Sequence, residues 1–181
     1  MPATKSCSLT SAHAVYAGSF DPPTLGHVDL VRRAARVFDR VTIAVGINPE
    51  KQPLFTPDER VDLLRSVCAL PNVEVRSFDG LTVEFVRELG AGVLVRGVRT
   101  VSDIEAEATL TLANRTLAPE IETIFLMASE HYAHVSSSLI KQVAAMGGDR
   151  VSEHLSAFVP SMIVPAILDK IRGVPPKSGL D

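Results

Sequence analysis

Three features of the sequence predict a single-domain α/β fold built on a doubly wound, five-stranded parallel sheet. Five short strand-like runs alternate with segments of helical periodicity, the pattern of strands joined by helical crossovers. Stretches rich in glycine, serine and arginine, at residues 18–27, 96–99 and 132–138, each follow one of those runs and would converge at the carboxyl end of the sheet. The 181 residues fit one domain, and a 46% hydrophobic content is enough for a substantial core.

The first strand is expected over residues 13–17. An apolar run there stops at Gly18, passes through small and polar residues, and gives way to a helix over residues 26–38, with Val28, Leu30, Val31, Ala34, Ala35 and Phe38 at helical spacing. Arg32, Arg33 and Arg36 fall on its outer side and read as a solvated face. A helix that opens just past a parallel strand aims free N–H groups and its positive dipole end into the loop, where anions collect. Gly18 and Gly26 allow close backbone approach, Ser19 offers a hydroxyl, and His27 can point an imidazole N–H at a phosphate oxygen. The spacing is neither that of the common lysine-bearing phosphate loop nor that of the dinucleotide fingerprint.

Residues 41–45 suit a buried strand and lead into a polar loop, 46–55, that carries Lys51 between two prolines. Thr56, Pro57, Asp58 and Glu59 have the chemistry of a helix start, and that helix is expected to reach Cys68. A strand at 73–75, a turn at 78–82 and a helix ending before Gly90 follow, with Asp79 read as a turn residue rather than a general base or metal ligand. The fourth strand, 91–95, ends at Arg96, Gly97, Val98 and Arg99. Paired arginines at that end of a buried strand match phosphate, because the guanidinium fork keeps its charge when partly desolvated. Ser102 and Glu105 have capping-box spacing at the head of a helix running to Leu117. A fifth strand at 121–127, a loop at 128–135 and a helix over 136–146 complete the alternation, and Ser136, Ser137 and Ser138 can cap that helix or donate to phosphates. One more amphipathic helix is expected at 160–171. Residues 1–12 read as a disordered extension, 13–172 as the domain and 173–181 as a frayed tail.

The 18 basic and 21 acidic residues give a net charge of −3, which argues against a general nucleic-acid surface. Cys7 and Cys68 are too few for a disulfide framework, and the longest apolar stretch, 157–168, is broken by Pro160 and Pro165. These features read as a cytoplasmic protein with no membrane partner. His131 and His134 lack the further ligands of a zinc set nearby, and Asn114 and Arg115 read as surface or subunit contacts.

Thr24, Leu25, Gly26 and His27 form the T-x-G-H signature of a nucleotidyltransferase superfamily, and G-S-F-D-P-x-T-x-G-H over residues 18–27 resembles its phosphopantetheine adenylyltransferase family. The R-G-x-R of residues 96–99 and the S-S-S-L-x-K of residues 136–141, with Lys141 where several relatives have arginine, resemble the family's other two signatures. The resemblance spans residues 14–171 and departs at Ala17 and Ala128, where many members carry proline. It implies a Rossmann-like nucleotidyltransferase fold and transfer of the adenylyl group of ATP to 4′-phosphopantetheine, with Mg²⁺ brought by ATP and a homohexameric assembly. It also implies roles for residues at matching positions. His27 would act on the α-phosphate as charge develops, with Ser19 beside it. Lys51 and Arg96 would orient the attacking phosphate, and Leu81 and Thr82 would wall the pantetheine arm. Phe20, Gly97, Val98, Arg99 and Glu107 would contact ATP. Tyr132 and the backbone of Ala133, His134 and Val135 would read adenine, while Arg99 and Ser136, Ser137 and Ser138 would hold the departing pyrophosphate. The competing readings are a sister enzyme acting on nicotinamide mononucleotide or, with CTP, on an alcohol phosphate; a non-catalytic nucleotide-binding module; and, weakest, a tRNA synthetase fragment.

Overall fold

The architecture is that of a computed structural model that describes residues 12–48 and 52–173. Five strands, β1 (His13–Gly18), β2 (Arg40–Gly46), β3 (Val73–Phe78), β4 (Val93–Val98) and β5 (Glu122–Met127), form one all-parallel sheet in the order β3-β2-β1-β4-β5. The chain winds outward from β1 to β3, then crosses to β4 and winds the other way. The switch therefore lies between β1 and β4, where open α/β sheets open a crevice for ligands.

Strand periodicity divides the core into two layers. Ala14 and Tyr16 of β1, with Val41, Ile43 and Val45 of β2, face α1 (Leu25–Val37) and α2 (Pro57–Val67) through Val28, Leu30, Val31, Ala34, Val61 and Leu64. Val15, Ala17 and Ala44 point the other way, onto Val83 and Val86 of α3 (Thr82–Glu88). A third cluster, outside the sheet, joins α5 (Ser137–Met146), α6 (Val151–Ser156) and α7 (Val164–Arg172) through Ile140, Leu155 and Ile167, and takes in Phe55 from the loop before α2.

α4 (Val101–Leu117) differs from the other long helices in burying none of its residues. Val101, Leu110, Leu112 and Leu117 are all exposed, an apolar surface larger than a solvated helix needs.

The expected elements are present with shifted ends. β4 runs three residues past the expected end, because β5 pairs along its whole length, Arg96 opposite Phe125 and Gly97 opposite Leu126. Arg96 and Gly97 thus belong to the strand itself and not to the loop after it. The expected capping box of Ser102 and Glu105 does not form. Thr100 is the cap, its hydroxyl accepting from the Asp103 N–H at 3.1 Å, and the helix starts at Val101. Thr56 and Glu59 do form a full capping box. Asp79 takes the turn role expected of it, its carboxylate accepting from the Gly80 N–H, and Gly80 has φ +83°. Arg33, expected on a solvated face, donates to the Met127 carbonyl and ties α1 to the end of β5. The segment before α7 holds a further helix, α6, and α7 is preceded by a single 3-10 turn at Ser161–Ile163. The expected extension lies outside the described residues over 1–11, as does the expected tail over 174–181, while Ala12 is tied by its N–H to the Asp39 carboxylate.

Candidate active site

At the carboxyl end of β1 the chain turns sharply. Phe20 sits at φ +49° and tucks its ring, 1% exposed, edge-on to Tyr16 and His27 with centroids 5.2 and 5.0 Å away. A Cβ on Gly18 would meet that ring at 3.0 Å, so the glycine makes room for the floor of the loop. Asp21 and Pro22 are joined by a cis peptide bond.

Thr24 then caps α1, and His27 completes a capping box. The Thr24 hydroxyl accepts from the His27 N–H, and the His27 Nδ1 accepts from the Thr24 N–H at 3.0 Å. With Nδ1 accepting, the neutral ring carries its proton on Nε2, leaving that N–H for the cavity that His27 lines. Burial, with Arg99 nearby, lowers the His27 pKa to about 4, so the ring is a neutral donor at physiological pH.

β4 delivers the arginines. Arg96 binds both carboxylate oxygens of Glu107 at 2.7 Å and donates to the Ala17 carbonyl at 3.0 Å. Arg99 pairs with Asp103, the residue that the Thr100 cap places in the first turn of α4, and donates to the Val135 carbonyl at 3.1 Å. Its hydrogen bonds hold the Asp103 carboxyl below the usual carboxylate range. Gly97 lies between them: a Cβ there would stand 2.5 Å from Leu30 Cδ1 and 3.2 Å from the Tyr16 hydroxyl, so a side chain at this position would have to displace the end of Leu30. The glycine lets α1, and with it His27, lie close to β4.

The third segment is the start of α5. Ser136 caps the helix by accepting from the Leu139 N–H, Ser137 donates to the Pro22 carbonyl, and Ser138 is exposed. The three segments enclose a cavity of about 460 Å³ lined by Ser19, Phe20, His27, Arg96, Gly97, Arg99, Glu107, Tyr132, Val135 and the three serines. A second cavity, of about 350 Å³, shares Ser19, Ser137 and Ser138 and extends past Gly46, Gln52, Pro53, Arg60 and Lys141.

Most of the expected site residues are therefore brought together. Val98, Ala133 and His134 do not line the first cavity; Val98 is fully buried, and the exposed His134 ring lies edge-on to Phe158. Leu81 and Thr82, at the start of α3, line neither cavity, and Leu81 is exposed. Lys51 lies outside the described residues, and its neighbours Gln52 and Pro53 line the second cavity.

The comparisons with known proteins agree with this arrangement. A family model described as cytidylyltransferase-like matches residues 15–143. A phosphopantetheine adenylyltransferase of Rhodopirellula baltica is 50% identical over 169 residues, 93% of each chain. One of Thioalkalivibrio sulfidiphilus is 53% identical over 155 residues, covering 85% of this chain and 94% of its own. The chain belongs to the phosphopantetheine adenylyltransferase family. Among solved structures, the nicotinic acid mononucleotide adenylyltransferase of Plasmodium falciparum complexed with NaAD superposes with a TM-score of 0.64, over 90% of this chain and 95% of its own. At 13% identity it shares the fold.

Two residues at this site escaped the sequence reading altogether. Asp103 orients Arg99, and Arg60, 3% exposed, reaches under the phosphate loop from α2. Asp103 carries a signal in retrospect, four residues past Arg99 at a helix start; Arg60 carries none, since a helical arginine usually reads as solvated.

Proposed function

We propose that the chain transfers the adenylyl group of ATP to 4′-phosphopantetheine, giving dephospho-coenzyme A and pyrophosphate in coenzyme A biosynthesis. The observation that carries this reading is the convergence of His27, Arg96, Arg99 and the serines of α5 on one cavity at the switch between β1 and β4, in a chain of this family. ATP occupies that cavity, with adenine near Tyr132 and the triphosphate directed toward Arg99 and the first turn of α5. The acceptor phosphate lies near Ser19, where the two cavities meet, and is oriented by Arg96 and Lys51.

An acceptor phosphate oxygen attacks the α-phosphorus of ATP; the new P–O bond forms as the bond to the β-phosphate oxygen breaks, and pyrophosphate leaves with that electron pair. The nucleophile is already anionic, so no general base is required and positioning with charge stabilisation suffices. The His27 Nε2–H meets the oxygens of the α-phosphate as charge grows there. Arg99, with the Ser136 and Ser138 hydroxyls and the free N–H groups of α5, takes up the charge of the departing pyrophosphate.

Mg²⁺ accompanies ATP in this reading and neutralises phosphate charge. Asp21, Asp103 and Glu107, the carboxylates at the two cavities, are each engaged by backbone N–H groups or cations, so the phosphates supply most of the ion's ligands. Homohexameric assembly is part of the same proposal, supported by the exposed apolar surface of α4. So is a cytoplasmic location, supported by Cys68 as a buried free thiol; among the described residues no helix is long and apolar enough to cross a membrane.

Pyrophosphate release tests the substrate assignment. Assays with ATP and 4′-phosphopantetheine, ATP and nicotinamide mononucleotide, and CTP and glycerol phosphate should give release with the first pair alone. Release with another pair alone would move the acceptor assignment, and silence in all three would favour a binding module.

A further inference from the structure

Tyr16 lines the first cavity, and none of the roles above uses it. It stands on β1 opposite Val95 of β4, its ring edge-on to Phe20 and in the same core cluster as Leu30 and Val31 of α1. A phenylalanine would pack there equally well, so the core does not call for the hydroxyl. The residue is 5% exposed, and among the described residues its hydroxyl has no hydrogen-bond partner. A buried hydroxyl left unpaired lowers stability relative to an apolar group of the same shape.

The hydroxyl sits at the cavity wall. A Cβ on Gly97 would lie 3.2 Å from it, so the side chain leans from β1 across to β4 at the glycine between Arg96 and Arg99. Ser129 Oγ is sealed in without a partner; the Tyr16 hydroxyl is not sealed, and faces the cavity. His27 borders the same space, its ring centroid 6.5 Å from that of Tyr16. Burial raises the pKa of the phenol, with Arg96 and Arg99 pulling the other way, so the group stays protonated and can donate. The Tyr16 O–H, the His27 Nε2–H and the Arg99 guanidinium thus border one part of the cavity. Such a set of donors recognises a phosphate oxygen.

We propose that Tyr16 is a nucleotide-binding residue: its hydroxyl donates to an oxygen of the same α-phosphate that His27 meets, in a hydrogen bond that forms only with the nucleotide bound. The identity of the ligand rests on the adenylyl-transfer reading; the unpaired hydroxyl does not. Tyr16 lines the first cavity and not the second, so its loss falls on ATP rather than on the acceptor.

The test is Tyr16→Phe, which removes the hydroxyl and keeps the ring. Calorimetry should show ATP and AMP, which share the α-phosphate, each bound about fivefold or more weakly. Adenosine, followed by ligand-observed NMR, should bind within about twofold of wild type. Without ligand the variant should melt no lower than wild type, because no bond within the fold is lost, while the rise in Tm at a fixed ATP concentration should be smaller. Unchanged affinity for ATP or AMP would overturn the proposal. So would an equal loss for adenosine, which would place the contact on the sugar or base, or a markedly lower Tm without ligand, which would make the hydroxyl a partner within the fold. Turnover separates this inference from the functional reading. A wild-type chain that binds ATP through Tyr16 but does not turn over 4′-phosphopantetheine would refute that reading alone, and unchanged ATP affinity in the variant of an active enzyme would refute this inference alone.

Discussion

Glu107 grips Arg96 fork to fork, with both contacts at 2.7 Å and both side chains mostly buried. The arginine therefore reaches the site already oriented, and a ligand phosphate has to share it with the carboxylate. If Glu107 acts through Arg96, the two should not contribute independently. Glu107→Gln is expected to lower kcat/KM by about tenfold, because the neutral amide leaves a half-paired buried cation. Adding it to Arg96→Gln should cost little more than Arg96→Gln alone. Steady-state kinetics across this double-mutant cycle checks the coupling; strict additivity would show separate roles.

His27 donates from a neutral ring. Nitrogen chemical shifts should show the Nε2–H tautomer, still uncharged at pH about 5.5, below the ordinary histidine range. His27→Ala should cut kcat by about a hundredfold or more while ATP binding survives, the size expected for a donor that acts mainly in the transition state. Titrating the isolated protein by NMR and measuring ATP affinity by calorimetry separates these two statements.

Leu30 of α1 packs its Cδ1 methyl over Gly97 of β4. Gly97→Ala should destabilise the fold by about 1–3 kcal/mol, since the added methyl meets Leu30. It should also lower kcat, because α1 carries His27. Shortening the obstructing side chain in Gly97→Ala with Leu30→Ala should recover part of kcat even though Leu30→Ala alone opens a cavity. Thermal melts with kinetics on the three variants check this; a Gly97→Ala enzyme with unchanged kcat would mean that the contact relaxes without moving α1.

Stability should fall on mild acidification. His13 is held below its ordinary pKa of 6.5 by burial and by Arg40, and His27 is lowered to about 4. Both rings are neutral when folded at neutral pH, whereas the unfolded chain takes up protons near pH 6.5. Their contribution is complete above that value and is lost as pH drops toward the folded pKa values. Tm should be level above pH about 7 and decline between about 6.5 and 4, with a shallower decline in His27→Asn. A flat Tm across that range would contradict the burial argument.

The alternation of elements was legible because it rests on local signals. Apolar runs mark β1 and β2, and Thr56 with Glu59 marks the start of α2. The phosphate loop was legible for the same reason, being contiguous. What escaped depends on partners distant in the chain. The end of β4 is set by pairing with β5, and Arg60 earns its place only when Ser19, 41 residues earlier, folds over it. Asp21 is linked to Lys141 across 120 residues. The helix α6 escaped for another reason: it has six residues, no side-chain cap and one buried residue, Leu155.

The most direct test of the proposed reaction follows the acceptor's own oxygens. With ATP and 4′-phosphopantetheine labelled with ¹⁸O in its phosphate, attack by an acceptor oxygen on the α-phosphorus keeps all of the label in dephospho-coenzyme A. Mass spectrometry should find labelled dephospho-coenzyme A and unlabelled pyrophosphate. Label in the pyrophosphate, or no dephospho-coenzyme A at all, would contradict the mechanism assigned to this site.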